Sequence, residues 1–258
     1  MTESWLIPLI AFAASLLTFF SGFGLGTLLA PAFMLFFPVD LSIALTGIVH
    51  FANNLFKLGL VGKQANKDVL LRFGIPAVVA AFAGSWLLLE ISDMPVLYRY
   101  QLSGRNFDIT LLKLTIALLL IVFSLFELVP ALKRIQFGRE KLPLGGLLSG
   151  FFGGLSGHQG AMRSAFLIRA GLSKEAFVAT GVVIACFIDF TRLGVYAGRA
   201  AAFDISAHRT LLITAILAAI AGAVLGNRLL KKVTIAFVQY TVAILLLLIS
   251  VALGAGLI

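Results

Sequence analysis

Four stretches of this chain, Ser4 to Val39, Phe73 to Leu89, Thr210 to Asn227 and Val233 to Ile258, contain no charged residue. Runs of that kind are what a bilayer demands, since a helix crossing roughly 30 Å of hydrocarbon needs about 20 apolar residues. Composition agrees. Of 258 residues 60% are apolar and 12% charged, where an ordinary soluble domain carries about 25% charge, and the mean hydropathy is +1.07. A globule must cover a large surface with groups that water tolerates, so a soluble enzyme, a disordered chain and a nucleic-acid-binding domain are poor readings. The chain reads as an all-α polytopic membrane protein whose surroundings are the lipid bilayer, with no nucleic acid partner. Its net charge of +9 then marks cytoplasmic loops. The lone Cys186 excludes an intramolecular disulfide. Met-Thr-Glu-Ser, without a basic stretch, reads as a mature first segment rather than a cleaved signal peptide.

Full spans are expected at roughly 41–62, 69–91, 110–132, 174–198, 208–229 and 234–256. Two apolar stretches are interrupted, 5–37 at Ser21 to Gly26 and 143–170 at Gly157-His158-Gln159-Gly160. The arms of the second are about 11–14 residues each, too short at about 1.5 Å per residue to cross, which favours a re-entrant hairpin of half-helices. For 5–37 a re-entrant hairpin and two full helices both stay open. Lys63, Lys67 and Arg72, then Lys133, Arg134, Arg139 and Lys141, then Arg169 and Lys174, then Arg228, Lys231 and Lys232 all fall on one face. The positive-inside rule therefore puts both termini outside, with Arg199 and Arg209 as the dissenting charges.

The two halves of the sequence match. Phe19-Phe20-Ser21-Gly22 answers Phe151-Phe152-Gly153-Gly154, Thr46-Gly47 answers Thr180-Gly181, and Lys57-Leu58-Gly59 answers Arg192-Leu193-Gly194. Ala80 to Gly84 answers Ala218 to Gly222, and Thr115, Ala117 and Ser124 answer Thr241, Ala243 and Ser250. The order is kept, and a longer 92–109 loop explains the one jump in offset. A hairpin plus three crossings per half makes the second copy enter from the opposite side. Two inverted repeats, 1–132 and 143–258, are thus expected, an organisation common among secondary transporters.

Polar groups inside the hydrocarbon zone are costly and are functional candidates by default. The 41–62 helix carries His50, Asn53, Asn54 and Lys57 at spacings of three and four, which gather on one face. The 174–198 helix carries Asp189 and Arg192, matching Asn54 and Lys57 in the repeat. Two facing cations repel unless an anion lies between them. The hairpin turns offer His158, Gln159 and Arg163, with Gly24, Gly26, Gly157 and Gly160 where half-helices would begin and their N–H groups favour an anion. Packing is an equal alternative for the glycines, and snorkelling to an interface is one for Lys57 and Arg192. Asp189 reads as an ion-pair partner of Arg192 or as a proton carrier, and His50 as a packing histidine or a coupling group. No paired catalytic carboxylates, metal-ligand cluster or nucleophile–base pair is present, so an enzyme, a cofactor and a metal are not expected.

At this point the sequence resembles the sulfite exporter TauE/SafE family of bacterial membrane transporters. The resemblance rests on Phe151-Phe152-Gly153-Gly154-Leu155-Ser156-Gly157-His158-Gln159-Gly160, Arg163 to Leu167, and Leu172 to Ala176 with Ala179-Thr180-Gly181. It implies transport of sulfite or organosulfonates, often outward, across a bacterial inner membrane. The first-half turn, Ser21 to Gly26, has no counterpart of His158 and Gln159, which argues against two equivalent sites. The expectation is a secondary transporter of small sulfur-containing anions. Gln159, His158, Arg163, Lys57, Arg192, Asn53, Asn54, Gly24 and Gly157 would form the site, and Asp189 and His50 a coupling or ion pair. The alternatives are a passive anion channel and, less favoured, an intramembrane enzyme; the sequence does not say whether the chain forms a homodimer.

Overall fold

The computed structural model describes residues 2–18, 25–133, 136–199, 203–229 and 235–258. Its helices are α1 (Glu3–Thr18), α2 (Leu25–Met34), α3 (Val39–Val61), α4 (Lys67–Ser92), α5 (Leu111–Leu128), α6 (Leu142–Ser156), α7 (Gly160–Leu167), α8 (Lys174–Ala197), α9 (Arg209–Leu229) and α10 (Ile235–Gly254). Among the described residues, four helical stretches, Val39–Gln64, Lys67–Ser92, Lys174–Ala197 and Ile205–Gly226, are long and apolar enough to cross a membrane. The protein is an all-α polytopic membrane protein.

Local chemistry sets the boundaries. Asn66, Thr110 and Ser173 cap α4, α5 and α8 by accepting from the backbone N–H of Val69, Lys113 and Ala176. Inside α4 a π-helical turn, Leu70–Gly74, precedes Pro76, whose missing N–H interrupts the ladder. Helix α5 stops at Leu128, short of the expected residue 132, because Pro130 pushes Val129 into extended backbone (φ −87, ψ 113).

The break in 143–170 falls where the sequence placed it. Helix α6 ends on Gly157, at φ +78, and α7 begins at Gly160. With 15 and 8 residues, these arms extend about 22 and 12 Å, and neither spans a hydrocarbon core. Helices α1 and α2 have 16 and 10 residues. Their connection, residues 19–24, lies outside the described residues, and with it Gly24. Arg134, Lys231 and Lys232 lie outside them too.

One element was not anticipated. The 92–109 segment, read as a longer loop, forms an antiparallel hairpin of β1 (Tyr98–Leu102) and β2 (Arg105–Ile109). Ser103 and Gly104, at φ 51 and 78, supply the two positive φ values of its tight turn. Tyr98, Tyr100 and Phe107 stack on one face, and the Tyr100 hydroxyl donates to the Ala255 carbonyl at 2.6 Å, tying the hairpin to the chain end after α10.

Helices α3 and α8 pack together; α1 packs on α9, α6 on α4 and α5 on α10. Glycines let two of these pairs approach backbone to backbone. A Cβ on Gly146, Gly150 or Gly154 of α6 would stand 2.2, 2.0 and 2.2 Å from the carbonyl oxygens of Phe73, Ala77 and Ala81 on α4. On α9, Gly222 and Gly226 make the same use of α1, 2.3 and 2.6 Å from the carbonyl oxygens of Phe12 and Leu16. Ion pairs sit at both ends of α4: Asp68 accepts from Arg72 and Arg139, and Asp93 pairs with Arg199.

Candidate anion site

The candidate residues come from three elements. Helix α3 presents His50, Asn53, Asn54 and Lys57, α8 presents Asp189 and Arg192, and the α6–α7 break presents Gly157, His158 and Gln159 in its turn and Arg163 at the start of α7. Every one of these polar side chains is buried, and Asp189 and Arg192 are 0% exposed. The intramembrane polar residues singled out by composition therefore lie inside the helix packing. Lys57 and Arg192 do not snorkel.

Asp189 is the hub. Its Oδ2 stands 2.5 Å from His50 Nδ1 and accepts from Asn54 Nδ2 at 3.4 Å; its Oδ1 accepts from Gln159 Nε2 at 3.2 Å and Arg192 Nε at 3.0 Å. Gln159 passes the connection on, since its Oε1 accepts from Arg163 Nη1 at 3.0 Å. Arg163 is thus linked to the carboxylate through Gln159, which answers its unfavourable place near the positive end of α7. A carboxylate with four donors spread over α3, α8 and the α6–α7 turn fastens those elements together.

Lys57 and Asn53 face another way. The Asn53 amide accepts from Lys57 Nζ at 3.2 Å and donates to the Ala219 carbonyl of α9 at 3.3 Å, with Ser15 Oγ of α1 3.3 Å from the same amide. Lys57 also lies within electrostatic range of Arg163. Lys57, Arg163 and Arg192 against Asp189 give the cluster a formal excess of positive charge.

Several polar atoms in the cluster are left over. Among the described residues, the buried side-chain atoms without a hydrogen-bond partner are Thr46 Oγ1, His158 Nε2, and Arg192 Nη1 and Nη2. Nη2 does make ion contact with Asp189 Oδ1 at 2.9 Å. Neighbouring contacts tie these residues together where α2 meets the α6–α7 turn. A Cβ on Gly26, at the start of α2, would lie 3.2 Å from the Gly157 carbonyl oxygen, 3.7 Å from the Thr46 methyl and 3.9 Å from His50 Cδ2. A Cβ on Gly157 would lie 2.9 Å from Arg192 Nη1, and one on Gly47 3.3 Å from Arg192 Cζ. The guanidinium is held between two glycines, whose lack of a side chain makes room for it. Burying donors unsatisfied costs about 1–3 kcal/mol each, more for a charged group.

Sequence reasoning had named His158 and Arg192 but not Thr46, Gly47 or Phe123, which stacks on His158 at 5.6 Å. Thr46-Gly47 was visible as a repeat marker; that its hydroxyl is unpartnered while its mate Thr180 accepts from the Asn66 N–H follows only from packing. A family model described as "Sulfite exporter TauE/SafE" matches residues 7–253. No curated protein matches the chain significantly.

Proposed function

The chain belongs to the sulfite exporter TauE/SafE family, and from that premise we propose that it is a secondary transporter of sulfite or small organosulfonates. In this reading it works by alternating access around a midplane anion site between two inverted repeats, 1–132 and 143–258. The family is one of membrane transporters for sulfur anions. The repeat reading is supported by exchanged packing: the first arm of each half, α1 or α6, lies on a helix of the other half, α9 or α4. Gly84 and Gly222, matched in sequence, each press on a carbonyl of those arms, Phe151 at 2.1 Å and Phe12 at 2.3 Å from a built Cβ. Gly47 gives room to Arg192, and its mate Gly181 to Arg163.

One observation carries the anion reading: the residues with unpartnered buried atoms, Thr46, His158 and Arg192, are neighbours of Gly26, Gly47 and Gly157 at the α6–α7 turn, in a cluster with excess positive charge. A sulfur oxyanion brings two or three acceptor oxygens, which suit a guanidinium and a hydroxyl. Arg192, His158 and Gly157 would contact it, Gln159, Asn54 and Asp189 would fix Arg192, and Arg163, Lys57 and Asn53 would supply field. With both termini outside, as the basic loops indicate, an inside-negative potential favours export of any species that crosses with net negative charge, by about 2.3 kcal/mol per charge per 100 mV.

Proteoliposomes loaded with sulfite test this. Saturable, potential-dependent efflux with countertransport by external sulfite or methanesulfonate is expected, and Arg192→Ala should lower it at least tenfold. Flux that neither saturates nor shows countertransport would make the protein a passive channel; no flux of either anion would end the transport reading.

A further inference from the structure

The proton inventory of this cluster is uneven. His158 directs Nδ1 at the Ser156 carbonyl oxygen, 2.9 Å away. A carbonyl only accepts, so Nδ1 carries the hydrogen, and Nε2 of the neutral ring is a bare lone pair. That nitrogen is buried and without a partner, on a residue 3% exposed.

Among the described residues, no other titratable side chain of the cluster that could accept a proton has a vacant atom. His50 donates through Nδ1 to Asp189, and its Nε2 lies 3.3 Å from Asn54 Nδ2. Asp189 accepts from four side chains. Phe123 of α5 stacks on the His158 ring, and Arg192 of α8 is the charged group within electrostatic range of it. A second positive charge next to Arg192 is repelled until an anion lies between them.

The vacant atoms are therefore donors on Arg192, a hydroxyl on Thr46 and one acceptor on His158. A fully ionised oxyanion satisfies the donors but sets an oxygen lone pair against the Nε2 lone pair. One proton between them turns that clash into a hydrogen bond. We propose that the anion binds together with one proton, held between His158 Nε2 and an oxygen of the anion. Hydrogen sulfite brings this proton itself; a sulfonate takes it from water by way of the ring. Sulfite then crosses as a net monoanion and keeps its drive from the membrane potential, whereas a sulfonate crosses as a neutral pair and answers to the pH difference. The inference rests on the anion site proposed above.

Methanesulfonate, which does not titrate near neutral pH, is the probe. Calorimetry on the purified full chain, in two buffers of different ionisation enthalpy, counts protons taken up per anion. One proton per methanesulfonate is expected, with Kd rising about tenfold for each pH unit above neutral. This arm uses the wild-type protein alone. His158→Asn should bind with no proton uptake and a flat pH profile. Wild-type binding without proton uptake overturns the inference and leaves the anion site standing. Proton uptake that persists in His158→Asn places the proton elsewhere and overturns it too. If neither methanesulfonate nor sulfite binds at any pH, the anion site itself fails and the inference falls with it.

Discussion

Two glycines separate backbone strain from the proposed role of Arg192. Gly157 and Gly171 have nearly the same left-handed backbone, φ +78 and +74. Alanine at either position costs about 1–2 kcal/mol in that conformation. They differ in what the new methyl would meet. At Gly171, in the turn between α7 and α8, nothing lies within 4 Å; at Gly157 the Cβ would stand 2.9 Å from Arg192 Nη1. An ordinary contact is about 3.5 Å, so the guanidinium has to retreat by about 0.6 Å. It has little room to do so, because Gly47 closes the other side and Nε is held on Asp189 at 3.0 Å. A shift of about 0.5 Å exceeds what a preorganised site tolerates, and a tenfold loss of affinity corresponds to about 1.4 kcal/mol. Thermal unfolding and sulfite titration of both variants read the two effects apart. Similar losses of stability are expected in both, with sulfite binding weakened about tenfold or more in Gly157→Ala only. Equal sulfite affinity in the two variants would refute the placement of Arg192 in the site.

The other predictions concern what holds the site. Gly150→Ala puts a methyl 2.0 Å from the Ala77 carbonyl and should lower the thermal midpoint through about 1–3 kcal/mol of overpacking, while Gly59→Ala, with nothing within 4 Å, should leave it unchanged or raise it. Asp189→Asn leaves Arg192 as an uncompensated buried charge and should cost about 3–5 kcal/mol, seen as a lower unfolding midpoint in detergent. At the chain surface, hydrogen bonding to Arg199 holds the Asp93 carboxyl below its usual range, and Arg99 does the same for Asp108. Both contributions are present above the ordinary carboxylate pKa of about 3.9 and lost as pH falls through the lowered values. Asp93→Asn should thus melt earlier than wild type near pH 6, with the difference shrinking as pH falls below the ordinary carboxylate pKa of about 3.9.

Much of this architecture could be read from the chain. Charge-free runs fix helices because an exposed backbone in lipid has no alternative partner, and Gly157-His158-Gln159-Gly160 fixed the break between α6 and α7. The spacing of His50, Asn54 and Lys57 put them on one helix, and their common burial followed from the cost of charge in hydrocarbon. What escaped was tertiary. Nothing in the sequence says that Asn53 and Lys57 turn toward α1 and α9 while His50 and Asn54 turn toward Asp189, since four neighbours on one face diverge by tens of degrees. The hairpin was legible and overlooked: Tyr98, Tyr100 and Phe107 alternate with polar residues around Ser103-Gly104, the pattern of a short antiparallel pair. The glycines, balanced between packing and ligand binding, divide: Gly146, Gly150, Gly154, Gly222 and Gly226 serve helix contact, and Gly47 and Gly157 border Arg192.

The division of labour around Arg192 follows from the shape of its side chain. A guanidinium is a planar fork whose edges point in different directions. The edge carrying Nε and Nη2 faces Asp189 Oδ1, at 3.0 and 2.9 Å, and Nη1 is left toward Gly157. The carboxylate therefore need not be displaced for an anion to engage the free nitrogen. It holds the fork still, and His50, Asn54 and Gln159 in turn hold the carboxylate. In the proposed site Asp189 is a fixed counter-ion that aims a cation and is not a carrier of protons. That separates its variants from those of His158: Asp189→Asn should weaken anion binding with the proton count per bound anion intact, whereas His158→Asn removes the proton and leaves Arg192 in place.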